Sequence, residues 1–380
     1  MMKTFDAVVV GGGPSGCAAA YDLAGAGLDV LVLDKKEFPR FKPCAGAVTI
    51  KALKLLRYSV TPVIKEVIYG KTVGMGARRE TLLQGSNPIC VTTIRSELDE
   101  FCLKQTLNQG ADFDVIPGIK AIAEEKNSVF LTDMNGRVYN CKYLIGADGA
   151  HSQVRKITGQ FRPDSSAIAL EGIVPLEKCR SKPNMTFDYG TVRKGYGWLI
   201  PKRDHVNVGL YTAIPRKVKI TREQLLDYTE KRIGTRDIEH IVGFPIGTGG
   251  EDYNPVSSRI FLVGDAAGFA EPLWGEGIHN AIKSGQAAAQ AVAMAVKSGA
   301  DAKQVYTTAV YDVKQDIQAC RRFSNVFYNQ LSISYALLKT RHVRTAVLEG
   351  FAAGMTVSEI KKKLLFKKSF IGKQLSGFFD

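Results

Sequence analysis

With 380 residues, 45% of them hydrophobic and 23% charged, the chain has the size of two or three domains and an ordinary globular composition. Disordered, collagen-like and disulfide-scaffold classes are excluded. The formal charge of +14, from 51 Lys and Arg against 37 Asp and Glu, favours acidic partners such as phosphates or anionic lipid headgroups; no nucleic-acid motif accompanies it.

The elements follow in chain order. Residues 5–10 form a Val-rich run that reads as a buried parallel strand. It ends in Gly11-Gly12-Gly13-Pro14-Ser15-Gly16, and an Ala-rich helix over 17–26 follows. A second apolar strand over 30–33 closes on Asp34, completing a β-α-β unit. Residues 62–95 read as short strands. Residues 96–109 read as a helix with Leu98, Phe101, Cys102 and Leu107 on its apolar stripe. Residues 113–146 alternate like strands around a turn at Asp133-Met134-Asn135-Gly136. Residues 166–250 are sheet-rich, with one helix at 221–233. The strand pattern returns at 260–263, and an Ala-rich helix covers 278–296. The remainder is helical and basic: from Lys339 to Asp380, nine Lys and Arg face three acids. Seven cysteines are scattered without a C-x-x-C pair, and five histidines show no ligand spacing. Neither a disulfide framework nor a metal site is expected, and reduced thiols fit a cytoplasmic setting. No signal-peptide pattern opens the chain, and no run of about 18 apolar residues reads as a membrane span.

Gly11-x-Gly13-x-x-Gly16 between a strand and a helix is the first motif that carries chemistry. Gly11 permits the tight turn, Gly13 lets backbone approach a pyrophosphate, and Gly16 allows close helix–strand packing. Ser15 lies in this turn at the cofactor, and the free N–H groups of the following helix face the phosphates. Asp34 can accept ribose hydroxyls. No second such unit appears, so no separate nicotinamide domain is expected. The electron donor stays open between NADPH docking on the flavin and a protein carrier such as reduced ferredoxin.

Two later strand-end turns, Gly146-Ala147-Asp148-Gly149 and Gly264-Asp265-Ala266-Ala267, resemble the further FAD signatures of flavoproteins with the aromatic-hydroxylase fold. The resemblance implies FAD, with Asp265 on the ribityl chain, Asp148 holding the loop beside the pyrophosphate, and Arg95 near the flavin side. Pro272-x-x-Gly275-Glu276-Gly277-Ile278 precedes the Ala-rich helix, and its glycines let backbone approach the flavin at a helix N-terminus.

Three segments narrow the family. Gly195-Tyr196-Gly197-Trp198-Leu199-Ile200-Pro201-Lys202, with Gly209 beyond, resembles the Y-x-W-x-F-P-K…G element of geranylgeranyl reductases, Ile200 replacing Phe. Phe38-Pro39-Arg40-Phe41-Lys42-Pro43-Cys44-Ala45-Gly46 resembles their K-x-C-G-G segment, Ala45 replacing a Gly. The 272–278 loop matches their P-x-x-G-E-G-I form. By this resemblance Arg40, Cys44 and Ala45 lie at the cofactor, Tyr196 and Trp198 line a lipid tunnel with Pro201 and Lys202, and Cys44, Tyr196 and Trp198 are the catalytic candidates. Flavin-dependent halogenases carry the similar W-x-W-x-I-P, but have G-E-S where Pro43-Cys44-Ala45-Gly46 stands here.

The fold expected is α/β: a Rossmann-like FAD-binding domain (1–165 with 255–300), a mixed or antiparallel-sheet substrate cap (166–254) and a basic helical region (301–380). The function implied is FAD-dependent reduction of C=C bonds in prenyl lipids or isoprenoid diphosphates. A monooxygenase or halogenase is the alternative, and a non-catalytic flavin-binding protein a third. The Lys-rich, apolar segment Lys361–Lys373 suits an anionic membrane surface, hence a peripheral inner-face location. Nothing here bears on oligomeric state.

Overall fold

The computed structural model describes residues 3–161 and 166–366. In chain order it has β1 (Thr4–Val10), α1 (Pro14–Gly25), β2 (Val30–Asp34), β3 (Ala47–Thr49), α2 (Ile50–Leu53), β4 (Ile64–Ile68), β5 (Gly70–Met75), β6 (Arg79–Gln84), β7 (Cys90–Thr93) and α3 (Arg95–Asn108). Next come β8 (Asp112–Val115), β9 (Ile119–Glu124), β10 (Val129–Asp133), β11 (Val138–Gly146) and α4 (Gln153–Thr158). The second half holds β12 (Ala167–Pro175), β13 (Thr186–Tyr189), β14 (Gly195–Pro201), β15 (His205–Thr212), α5 (Arg222–Ile233), β16 (Glu239–Ile246), β17 (Ile260–Leu262) and α6 (Ile278–Ser298). The chain then runs through α7 (Ala302–Ala309), α8 (Tyr311–Asn329), α9 (Leu331–Lys339), α10 (Arg341–Ala353) and α11 (Val357–Phe366).

The first sheet has the order β8-β2-β1-β11-β10-β9, with β17 beside the far half of β11. Ala7, Val8 and Val9 are fully buried, as a central strand covered on both faces requires. β1, β2, β11 and β17 run parallel, with Val10 opposite both Leu33 and Gly146, and Gly146 opposite Leu262. That register delivers the Gly11 loop, Asp34, the Gly146 turn and the Gly264 turn to one edge of the sheet. A crevice beyond the carboxyl ends of parallel strands is where such folds bind ligands.

The second sheet is β16-β12-β15-β14-β13-β5-β6, mostly antiparallel. Its pairing draws β5 and β6 out of the stretch 1–165 and joins them to the cap. One face carries Leu199, Val208 and Leu210 against Leu225, Tyr228 and Ile233 of α5. The other carries Tyr196, Trp198 and Tyr211 against Leu273 and, from the carboxyl-terminal helices, Cys320, Phe327 and Tyr335. A small third sheet, β3-β7-β4, lies at the junction.

One local expectation needs correction. In α3 the buried face is Leu98, Cys102, Leu103 and Thr106, whereas Leu107 is exposed, because the helix starts at Arg95 and turns that residue outward. Arg95 is itself buried. The basic segment is described as far as Phe366 within α11; Lys367 to Lys373 lie outside the described residues.

Candidate active site

The glycine loop has the form of a phosphate cradle. A Cβ on Gly11 would lie 2.4 Å from the Ala147 carbonyl oxygen, and one on Gly16 would lie 1.8 Å from the Gly11 oxygen, so only glycine permits this packing. At Gly13 the space is open, the nearest group being the Arg40 guanidinium at 3.7 Å. Asp34 Oδ2 accepts from Gly12 N–H at 2.9 Å and Oδ1 accepts from Lys36 N–H at 3.1 Å, fixing the carboxylate at the end of β2. Arg40 bridges Asp34 (3.6 Å) and Asp99 (3.1 Å). Asp99 also takes a bidentate pair from Arg95, 2.8 Å on each arm. Ser15 is buried, its Oγ close beside Gly264.

The second and third turns are tied by Arg155, which belongs to none of the motifs. Its guanidinium donates to the carbonyls of Ala150 (2.6 Å) and Ala266 (2.8 Å). Asp148 Oδ2 accepts from Gln153 and Val154 N–H, capping the start of α4. Asp265 accepts from Gly247 N–H at 3.2 Å, and its other oxygen lies beside Gly277, where α6 begins at Ile278. Burial pushes the Asp265 carboxyl above its ordinary range, and the Lys42 ammonium opposes that. An acid, an arginine pair, an open glycine loop and two helix N-termini at one sheet edge fit a dinucleotide such as FAD.

The loop before α6 is held from all sides. Glu271 accepts from Leu273 N–H (3.0 Å), Trp274 N–H (2.8 Å) and the buried thiol of Cys320 (2.7 Å). Three tyrosine hydroxyls take the loop's carbonyls: Tyr211 on Pro272 (2.8 Å), Tyr328 on Leu273 (2.8 Å) and Tyr196 on Trp274 (2.5 Å). They come from β15, α8 and β14. Lys51 pairs with Glu276 at 2.8 Å. Gly275 and Gly277 follow within this frame.

Cys44 lies between the two sheets. Its N–H donates to Glu171 Oε1 at 2.7 Å, and its sulfur accepts from Gly46 N–H at 3.4 Å. Glu171, on β12, is 4% exposed and its Oε2 takes no hydrogen bond among the described residues. Burial raises its carboxyl to about 7, against the pull of the Cys44 N–H, Asn207 and Lys202. Lys202 donates to the Ala45 carbonyl and is buried rather than presented on the surface. Burial lowers its ammonium to about 8. Trp198 donates its indole N–H to Asn207 at 2.7 Å, and its ring fills the space over Gly209, directly opposite on β15. A Cβ there would lie 2.1 Å from the indole, which explains the glycine of that motif. Pro201 ends β14, its carbonyl accepting from Thr92. Glu171 was not legible as a site residue: its partner lies 127 positions away.

Beyond Trp274, an apolar cavity runs between the cap sheet and the last helices. Trp274, Val73, Phe327, Leu338 and Phe351 are among its walls. Tyr196 and Trp198 stand one layer behind, Tyr196 against the ring of Tyr189, whose hydroxyl accepts from the Trp274 indole at 2.6 Å.

This fold and this edge of strand-end turns define an FAD-dependent oxidoreductase, and the chain belongs to the FAD binding domain family, whose model matches residues 4–317. The resemblance to geranylgeranyl reductases is borne out by its relatives. It is 34% identical over 369 residues to an uncharacterized protein of Methanosarcina barkeri, covering 96% of this chain and 94% of that one. It is 32% identical over 313 residues to the menaquinone reductase of Mycobacterium tuberculosis, covering 75% and 76%. It is 28% identical over 321 residues to digeranylgeranylglycerophospholipid reductase 2 of Methanosphaera stadtmanae, covering 79% and 80%. Among solved structures, a geranylgeranyl bacteriochlorophyll reductase-like protein of Thermoplasma acidophilum superposes with a TM-score of 0.78 at 22% identity, covering 100% of both chains. A flavin-dependent brominase gives 0.73 at 17%, covering 95% of this chain and 98% of that one, a likeness of fold.

Proposed function

We propose that the protein reduces carbon–carbon double bonds in the prenyl chain of a lipid. The observation that carries this reading is the aromatic, apolar cavity that meets the cofactor loop at Trp274. An isolated alkene offers no charge or hydrogen bond to grip, so only shape and apolar contact can place it. The named relatives support the same class: a digeranylgeranyl lipid and menaquinone, a quinone with a prenyl tail, are the compounds in their names.

FAD, when bound, supplies the hydride for one alkene carbon. The chain's own residues must hold the cofactor, exclude water and return a proton to the other carbon. Gly11, Gly13, Gly16 and Asp34 hold the dinucleotide, with Ser15, Arg40, Ala45 and Arg95 around it. Asp148 and Asp265 shape the two later turns, and Gly275, Gly277 and Ile278 would lie on the flavin side. Glu171, whose carboxyl burial raises to about 7 so that it can both hold and release a proton near neutral pH, is a proton reservoir next to Cys44. Cys44 and Glu171 form the proton-delivering pair. Trp198, packed on Gly209, and Pro201 hold the cap strands behind the cavity wall, Lys202 stabilises the ionised Glu171, and the Tyr196 hydroxyl pins the loop. Electrons come from NADPH or a reduced ferredoxin. No helix among the described residues is long and apolar enough to cross a membrane, and a lipid substrate is met at an anionic membrane surface through the basic carboxyl-terminal region.

The test is anaerobic. Chemically reduced flavoprotein is mixed with menaquinone and prenylated lipid extract, and products are weighed. Mass gains in steps of two hydrogens with flavin reoxidation are expected. No gain without oxygen, and added oxygen or halogen once both are admitted, would refute the reading in favour of the monooxygenase or halogenase.

A further inference from the structure

Lys71, on β5, is an unusual wall for an apolar cavity. It is 7% exposed and lines the space also bounded by Val73, Leu83, Trp274 and Phe351. No carboxylate pairs with its ammonium among the described residues. Its neighbours are instead three aromatic rings: Phe351 at 4.4 Å, and Phe187 and Trp274 at 5.2 Å each. Burial lowers it to about 8, so it is still mostly charged at neutral pH.

A buried cation needs a partner, and ring faces replace only part of its lost hydration. Strand alternation puts it on the same face as Val73, toward the cavity, where a Leu or Met would fill the same space. The other polar groups on the lining are few: Ser334, the Tyr189 hydroxyl and Lys361 of α11. With the Ser334 hydroxyl already donated to the Phe327 and Gln330 carbonyls and Lys361 otherwise engaged, this set can satisfy one small anion. It cannot satisfy a diphosphate, which carries several charged oxygens that each require donors.

We propose that Lys71 makes this cavity selective for a prenyl amphiphile whose polar end is a single small anion, a carboxylate being the simplest case. The proposal rests on the reading of the cavity as a prenyl-chain site. The chain lies along the aromatic wall toward Trp274, and the anion completes the ion pair that Lys71 lacks.

The test is binding, and needs no turnover. Flavin-loaded protein is dialysed to equilibrium against labelled geranylgeranoic acid or geranylgeraniol, which differ only at the polar end. Wild type is expected to bind the acid at least about tenfold more tightly than the alcohol, a charge-assisted hydrogen bond's worth. Lys71→Met should weaken the acid to the level of the alcohol and leave the alcohol unchanged, while Lys71→Arg keeps the preference. Equal wild-type affinities for the two, or parallel losses in Lys71→Met, would overturn the selectivity and leave the prenyl site standing. Binding of neither compound would overturn both. Should Lys71→Met not fold, the wild-type comparison and Lys71→Arg decide alone.

Discussion

Replacing Glu171 by Gln isolates the cost of burying an acid beside Cys44. The Gln carbonyl can still accept from the Cys44 N–H, so the hydrogen bond of 2.7 Å survives while the titration disappears. The folded carboxyl sits at about 7 against an ordinary 4.5. At about 1.4 kcal/mol per pH unit, the difference is about 3 kcal/mol. Because the folded value is raised, the folded state holds the proton more tightly than the unfolded chain. Below the ordinary value both states are protonated and Glu171 carries no penalty. Between about 4.5 and 7, stability falls as pH rises, and above about 7 the full penalty is present and constant. Urea unfolding of wild type and Glu171→Gln from pH 5 to 9 measures this directly. The variant should gain on wild type up to pH 7, reach an advantage of about 3 kcal/mol, and hold it. Parallel stability–pH curves would refute the buried-acid argument and, with it, the proton reservoir.

Further outcomes test the rest of the site. Gly16→Ala puts a Cβ within 1.8 Å of the Gly11 oxygen and should yield protein without flavin, read from the absorbance ratio at 450 and 280 nm; normal flavin content would contradict the cradle. Tyr196→Phe should keep the rate of prenyl reduction within about threefold while loosening the 272–274 loop, because its hydroxyl is spent on the Trp274 carbonyl. A fall of about 10²-fold or more would make it a proton donor instead. Gly209→Ala should cost about 1–3 kcal/mol by overpacking, and much of that should vanish in a Trp198→Leu background, a coupling that chemical denaturation of the four proteins measures. Tyr211→Phe leaves the Pro272 carbonyl buried without its donor and should lose about 1–3 kcal/mol of unfolding free energy.

What could be read from the residues was what is local in the chain. Gly11 to Gly16 and Asp34 span one β-α-β unit, so spacing alone disclosed the cradle. The Trp198–Gly209 pairing is a hairpin relation between neighbouring strands, and its motif survives as a fixed interval. Arg155, Glu171 and Lys71 were hidden because each acts across the fold. Arg155 reaches a carbonyl 111 positions later, and Glu171 meets Cys44 across a domain junction. Lys71 sits on a strand whose partner across the parallel ladder, β13, comes more than a hundred residues on. Arg95 was marked by the resemblance alone, and its burial and bidentate pair with Asp99 became visible only in the fold. The membership of β5 and β6 in the second sheet was hidden for the same reason: pairing partners are set by topology, not by adjacency in sequence.

The tyrosine clamp on the 272–274 loop bears on how such a protein can be rebuilt. Its three hydroxyls belong to two cap strands and one carboxyl-terminal helix, yet all three seize one short segment of the cofactor-binding half. The cap sheet with its last helices is therefore not an interchangeable part. A chimera that grafts a foreign cap onto this cofactor frame inherits a loop with orphaned carbonyls unless the donor brings hydroxyls to the same three places. Recombination within the family would succeed at breakpoints that move β14, β15, α8 and residues 271–276 as one inherited block.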